Sequence, residues 1–199
     1  LLEEKYELKK GGRLGPGKDD AKELTVLNRV LRWTDSGIEY EADQRHAEII
    51  VDNVGLKEDS KTLSTPGEKR KREPEEEMEE ELIGSEATAY RGNVARSNYL
   101  SQDRTDIQFA TKELSRGMAN PTVGDQRKMK RLGRYLKGRE RVIISYPYQR
   151  CNWELEVWTD TDYAGCKKTR KSISGGVVKL GSLIIKSWSL TQSVIALSS

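Results

Sequence analysis

A chain of 199 residues, 35% hydrophobic and 34% charged, suffices for one ordinary domain or two small ones and must concentrate its buried residues in a few segments. Its 35 basic and 32 acidic residues leave a formal net charge of +3, too small to imply nucleic-acid binding by itself. No apolar run approaches the roughly 18 residues that span a bilayer, the N-terminus lacks a signal pattern, and Cys151 and Cys166 have neither zinc-site nor disulfide-framework spacing. The expectation is a soluble, intracellular protein with free thiols.

In chain order, Gly11-Gly12-Arg-Leu-Gly15-Pro-Gly17 lacks the strand-to-helix context of a phosphate loop and reads as a turn. Val26, Leu27, Val30 and Leu31 then predict a strand over 23–33. Asp35-Ser36-Gly37 supplies a turn before a short strand over 38–41, completing a hairpin. Ala42, His46, Ile49, Ile50 and Val54 fall at helical spacing, with Asp43 as a candidate cap and Gly55 as the stop.

Residues 56 to about 82 have almost nothing apolar to bury. They run through Thr65-Pro66-Gly67 and the basic tetrad Lys69 to Arg72 into a block of glutamates, and read as a charged linker. The tetrad is open to two readings, a nuclear-import patch or part of a solvated tether. Three helices follow over about 83–100, 103–118 and 123–137, with Asn120-Pro121 and Gly138 as stops.

Beyond Gly138 the apolar period changes to two. Val142, Ile144 and Tyr146 alternate, followed by Leu155, Val157 and Thr159, then Val177 and Leu180, then Ile184, Lys186 and Trp188. With turns expected at Gly175-Gly176 and at Gly181, these strands predict one antiparallel sheet.

Several segments in this half carry a family resemblance. Tyr99-Leu-Ser-Gln-Asp-Arg-Thr-Asp-Ile-Gln-Phe-Ala110, Leu114-Ser-Arg-Gly-Met-Ala-Asn-Pro121 and Lys130-Arg-Leu-Gly-Arg-Tyr-Leu-Lys-Gly138 resemble the region after the polymerase in copia-type retrotransposon polyproteins. Trp158-Thr-Asp-Thr-Asp-Tyr-Ala-Gly165, Arg170-Lys-Ser-Ile-Ser-Gly175, Lys186-Ser-Trp188 and Gln192-Ser-Val-Ile-Ala-Leu-Ser-Ser199 are similar to the opening of that family's ribonuclease H. Upstream, Leu27-Asn-Arg29, Asp43-Gln-Arg-His-Ala47 and Ser64-Thr-Pro66 resemble its last reverse-transcriptase segment more loosely. Thr105, Gln126, Ile173 and Asn93 depart from the usual pattern, Asn93 by interrupting an apolar helix face.

The resemblance implies an α+β fold with four parts. These are the end of a reverse transcriptase over 1–67, a charged linker over 68–82, a helical connection over 83–138, and a truncated ribonuclease H-like domain of three to four antiparallel strands over 139–199. The family's Tyr-x-Asp-Asp polymerase turn does not occur in the chain, so DNA synthesis by these residues is not expected.

Ribonuclease H chemistry hydrolyses a phosphodiester with two divalent ions about 3.5–4 Å apart, and magnesium takes hard oxygen ligands from several carboxylates. By resemblance, Asp160 at the end of the first strand is the first metal-binding and catalytic aspartate, with Asp162 as a second ligand or supporting group. Without the resemblance, an Asp-x-Asp at a strand end more commonly serves a turn. The family's remaining ligands would follow Ser199, so an incomplete, inactive nuclease is expected.

Lys128, Arg131 and Arg134 on one helix, and Lys167, Lys168, Arg170 and Lys171 on the loop after Asp160, are the candidate contacts to an RNA–DNA hybrid or other nucleic acid. An ordinary solvated helix face explains the first group equally well. His46 has no constellation around it, and the tryptophans Trp33, Trp153, Trp158 and Trp188 read as packing residues. Unpaired sheet edges would favour association. The competing reading is a domesticated, non-catalytic adaptor for nucleic acid or protein.

Overall fold

The computed structural model describes residues 4–7, 11–68, 80–150, 154–166 and 169–197. It is an α+β structure with two separate antiparallel sheets. The strand expected over 23–33 is two strands, β1 (Glu23–Val26) and β2 (Arg29–Thr34), paired so that Val26 faces Arg29. Leu27 and Asn28 make the turn between them with φ of 51° and 62°, the doubly positive geometry of a two-residue hairpin. Apolar pattern alone hides this break, because Leu27 resembles a strand residue and left-handed backbone is uncommon for leucine.

Asp35 and Ser36 then turn the chain into β3 (Gly37–Glu41). Gly37 lies at φ 156°, and a Cβ there would sit 2.1 Å from the Tyr146 carbonyl oxygen. That close approach belongs to β4 (Ile143–Pro147), which pairs antiparallel with β3 and completes the order β1-β2-β3-β4. The sequence expectation put Val142, Ile144 and Tyr146 at the start of the C-terminal sheet. The alternation is real, with those three half-buried, but it joins the N-terminal hairpin and crosses the expected boundary at 138/139. Period two specifies a strand and a buried face, not its partner, and here the choice is reinforced by Arg141, whose guanidinium grips Glu41 at 2.5 and 2.9 Å.

Between the hairpin and β4 lie α1 (Arg45–Asn53), α2 (Gly84–Leu100), a 3-10 turn at Thr105–Ile107, α3 (Gln108–Ser115) and α4 (Val123–Lys137). Asp43, the candidate cap of α1, accepts the Arg45 amide at 3.0 Å, although the helix's own cap position is Gln44. Thr122 and Asp125 form a capping box on α4, satisfying amides that a helix start leaves unpaired. Ile50, Val94, Ile107, Leu132 and Leu136 are fully buried in one core built by these helices. Asn93, the interruption in an apolar face, is buried and accepts a hydrogen bond from Asn53 at 2.8 Å, tying α2 to α1. Of the charged linker, residues 69–79 lie outside those described. Its end is fixed by Leu82, a buried side chain whose amide donates to the Pro121 carbonyl.

The second sheet has the order β5-β6-β7, from β5 (Leu155–Thr161), β6 (Ile173–Leu180) and β7 (Leu183–Thr191). Gly175 and Gly176, expected as a turn, lie inside β6. A Cβ on Gly176 would come within 2.1 Å of the Trp188 ring, so the glycine lets the tryptophan lie across the neighbouring strand. Gly181, at φ 57°, is the turn between β6 and β7. No helix among the described residues is long and apolar enough to cross a membrane.

Candidate functional site

Alternation along β5 puts Glu156, Trp158 and Asp160 on one face, and pairing places Asp160 opposite Gly175 and Trp158 opposite Val177. This face opens toward the 3-10 turn and α3, leaving a groove of about 530 Å³. Thr105, Asp106 and Phe109 form one wall, and Trp158, Asp160 and Ser189 part of the other. Asp160 is exposed there, with its carboxylate uncommitted among the described residues. The Trp158 indole donates to Glu156 at 3.0 Å, and the residue is 61% exposed. Of the two packing roles open to it, core or sheet surface, the structure places it on the sheet surface. Trp33, in contrast, packs on Tyr148 at a ring distance of 5.5 Å.

The nearest other carboxylates are already engaged. Asp106 takes two hydrogen bonds from Arg104, at 2.9 and 2.7 Å, and one from the Tyr135 hydroxyl at 2.7 Å. Burial pushes its carboxyl up, but the Arg104 guanidinium outweighs that and holds it below the usual carboxylate range. Arg104 is itself 1% exposed and also donates to the Arg139 carbonyl, so a buried guanidinium paired with a partly exposed carboxylate binds the start of α3 to the end of α4. Sequence reasoning missed the pair, because an Arg-x-Asp spacing inside a polar stretch carries no periodicity. Asp162 turns back on its own loop and accepts the Ile173 amide at 2.6 Å, the turn use open to an Asp-x-Asp motif.

A divalent pair does not fit this donor set. Among the described residues no group of three or more His, Cys, Asp or Glu side chains is placed to hold a metal ion. Two ions need several shared carboxylate oxygens, and Asp160 alone does not meet that requirement.

The candidate nucleic-acid contacts divide into engaged and open. Lys128 pairs with Asp125 at 2.8 Å. Arg131 donates to Glu68 at 2.8 Å and to Thr65 at 2.9 Å. Arg134 is half-buried. On the loop after Asp160, Arg170 is exposed at φ 57° and Lys171 half-buried, while Lys167 and Lys168 lie outside the described residues. Cys166 is a free, buried thiol. Burial pushes it up, but the Thr169 hydroxyl and amide and the Arg116 guanidinium that contact its sulfur outweigh burial and bring it to about 7. This contact ties the β5–β6 loop to the end of α3. His46 packs its ring against Tyr99 at 4.7 Å, and burial holds it below the usual histidine range.

No protein-family model and no solved structure matches the chain. Curated relatives do. The chain is 34% identical over 154 residues to the uncharacterized mitochondrial protein AtMg00810 of Arabidopsis thaliana, covering 73% of this chain and 58% of that protein. It is 36% identical over 105 residues, 53% of its length, to the retrovirus-related Pol polyprotein from transposon RE1 of the same plant. For the corresponding polyprotein from transposon RE2 the identity is 35% over 102 residues, 51% of the chain. The chain spans 7% of the length of each of these two polyproteins. Through motifs in order along the C-terminal half and through these relatives, the chain is similar to retrotransposon Pol polyproteins, consistent with the copia-type resemblance of its sequence.

Proposed function

We propose that these residues join the end of a reverse transcriptase to the first strands of a ribonuclease H domain. Their parent polyprotein would act in RNA-directed DNA synthesis and in cleavage of RNA within RNA–DNA hybrids. In this reading the segment contributes hybrid binding and one catalytic carboxylate, Asp160, not a complete hydrolytic centre. The observation that carries it is the groove, where Asp160 is open while Asp106 is committed to Arg104, with Asp162, outside the groove, committed to the Ile173 amide. Magnesium, the ion that such chemistry uses, requires more oxygen ligands than this donor set supplies. Basic side chains on the loop after Asp160 and on α4 would meet the phosphates, which set affinity without reading sequence.

The test measures both properties on one substrate. A fluorescent, end-labelled RNA–DNA hybrid is expected to bind the chain with a dissociation constant on the order of micromolar or weaker at physiological salt. Magnesium should leave it uncut, and Asp160→Asn should bind at least as well, since it removes a negative charge from the phosphate path. Magnesium-dependent cleavage that disappears in Asp160→Asn would overturn the division between binding and catalysis. Failure to bind at low salt would overturn the reading as a whole.

A further inference from the structure

The segment 56–68 reads in sequence as plain linker, yet in the structure it is seated on α4. Leu56 packs against the core at one end. The Lys137 ammonium donates to three backbone carbonyls, those of Lys57, Glu58 and Ser60. The Leu63 amide then donates to the Arg134 carbonyl, and Thr62 fits against Gly138 so closely that a Cβ there would meet the Thr62 Cβ at 3.0 Å. At the far end Arg131 bonds both Thr65 and Glu68.

Positions three and four apart share a helix face, so Arg127, Lys130, Arg131, Arg134 and Lys137 form one basic stripe. The segment covers its C-terminal part. Arg127 and Lys130, both exposed and without an ion pair among the described residues, remain open.

We infer that residues 57–68 are a built-in competitor for the polyanion that α4 would otherwise bind along its whole stripe, with Arg127 and Lys130 making first contact and the Glu68 end releasing Arg131. This rests on the hybrid-binding reading. The two ends of the segment differ in strength. Leu56 and the three carbonyls around Lys137 fix the first end. The other is held through Arg131 by the Thr65 hydroxyl and by one carboxylate that is 69% exposed, and an exposed ion pair of this kind contributes little to stability. A hybrid presents many phosphates and releases counterions for each cation it engages, so it can displace Glu68 from Arg131 while the anchored end stays in place. The segment thereby lowers affinity without closing the surface.

The experiment measures polarisation of a labelled RNA–DNA hybrid against the full chain and three variants. Glu68→Gln should bind about two- to fivefold tighter than the unsubstituted chain, with a salt slope steeper by up to about 0.9 because Arg131 then neutralises one more phosphate. Adding Arg131→Ala to Glu68→Gln should abolish that increase. Arg127→Glu with Lys130→Glu should weaken binding of the unsubstituted chain. If that last pair weakens binding but Glu68→Gln does not tighten it, the competitor is refuted and hybrid binding stands. Tighter binding by Glu68→Gln that survives Arg131→Ala reflects net charge alone and also refutes it. If no variant binds at low salt, hybrid binding fails and the inference falls with it.

Discussion

The helical body and the C-terminal sheet are built from equally clear apolar patterns, yet they are finished to different degrees. In the body, Ile50, Val94, Ile107, Leu132 and Leu136 are all 0% exposed. In the sheet, Leu155 and Val157 are 58% exposed and Leu190 is 61% exposed. Among the described residues, no side chain of β5, β6 or β7 enters the buried core cluster. A sheet buries an apolar face only when a second layer covers it. Helices α1, α2 and α4 give one another such layers, whereas among the helices it is α3 that packs against β5–β7, at β7. Amphipathic pattern therefore reports where burial is possible, and topology decides where it occurs.

The comparison breaks first, and by the largest amount, at Leu132. Truncation to alanine there should cost about 3 kcal/mol in urea unfolding, because the side chain is enclosed and leaves a cavity. Val157→Ala in the sheet should stay within about 0.5 kcal/mol, as for an exposed position. Equal losses at both sites would show that the sheet is as well supported as the body.

The next largest effect is expected at Glu41, the carboxylate that holds β4 to the first sheet. Hydrogen bonds from Arg141, and then from Arg32, outweigh the opposing push of burial and bring it from 4.5 to about 2. Glu41→Gln should cost about 2 kcal/mol near neutral pH, the scale of a lost hydrogen bond to a charged partner. The sign of the pH dependence follows from a depressed carboxyl. Its contribution is complete above about pH 4.5 and fades as pH falls toward 2. The stability difference between the two proteins should therefore shrink over that interval, and a difference that is constant down to pH 2 would refute the ion-pair origin. A smaller effect, about 1 kcal/mol in the same urea unfolding, is expected for Thr122→Ala, which removes the capping box of α4.

These effects also mark what was legible in the sequence. Helix α4 was readable at both ends, because Asn120-Pro121 before it, Gly138 after it and the 3.6 period are local signals. The stop at Gly55 and strands through Leu155, Val157 and Thr159 and through Ile184, Lys186 and Trp188 were readable in the same way. The destination of β4 was not, since its partner Glu41 lies about a hundred positions away and alternation is silent about partners. Nor was the role of Asn93, which looked like a flaw and is satisfied by Asn53 from another helix. Of the candidate site, Asp160 could be placed at a strand end by resemblance. That Asp106 would be locked by Arg104, Asp162 by the Ile173 amide and Arg131 by Glu68 depends on tertiary neighbours that no local pattern encodes.

The smallest effect on folding, and the one that sharpens the comparison most, concerns the uncovered face of the second sheet. β5 and β7 each have one hydrogen-bonded neighbour among the described strands, so both present unpaired backbone edges. Register puts Leu155 opposite Leu180 and Val157 opposite Val178 on the same apolar face. An exposed edge beside an apolar face favours pairing with another chain, and an outward lysine is a common natural defence. Val157→Lys should leave urea unfolding within about 0.5 kcal/mol of the unsubstituted chain while lowering concentration-dependent association in sedimentation velocity. If the unsubstituted chain sediments as a monomer across the concentrations tested, the open face does not drive association. If both proteins associate alike, the contact lies elsewhere. Loss of association with unchanged stability would show that this sheet's apolar pattern is directed at a covering surface that the described residues do not provide.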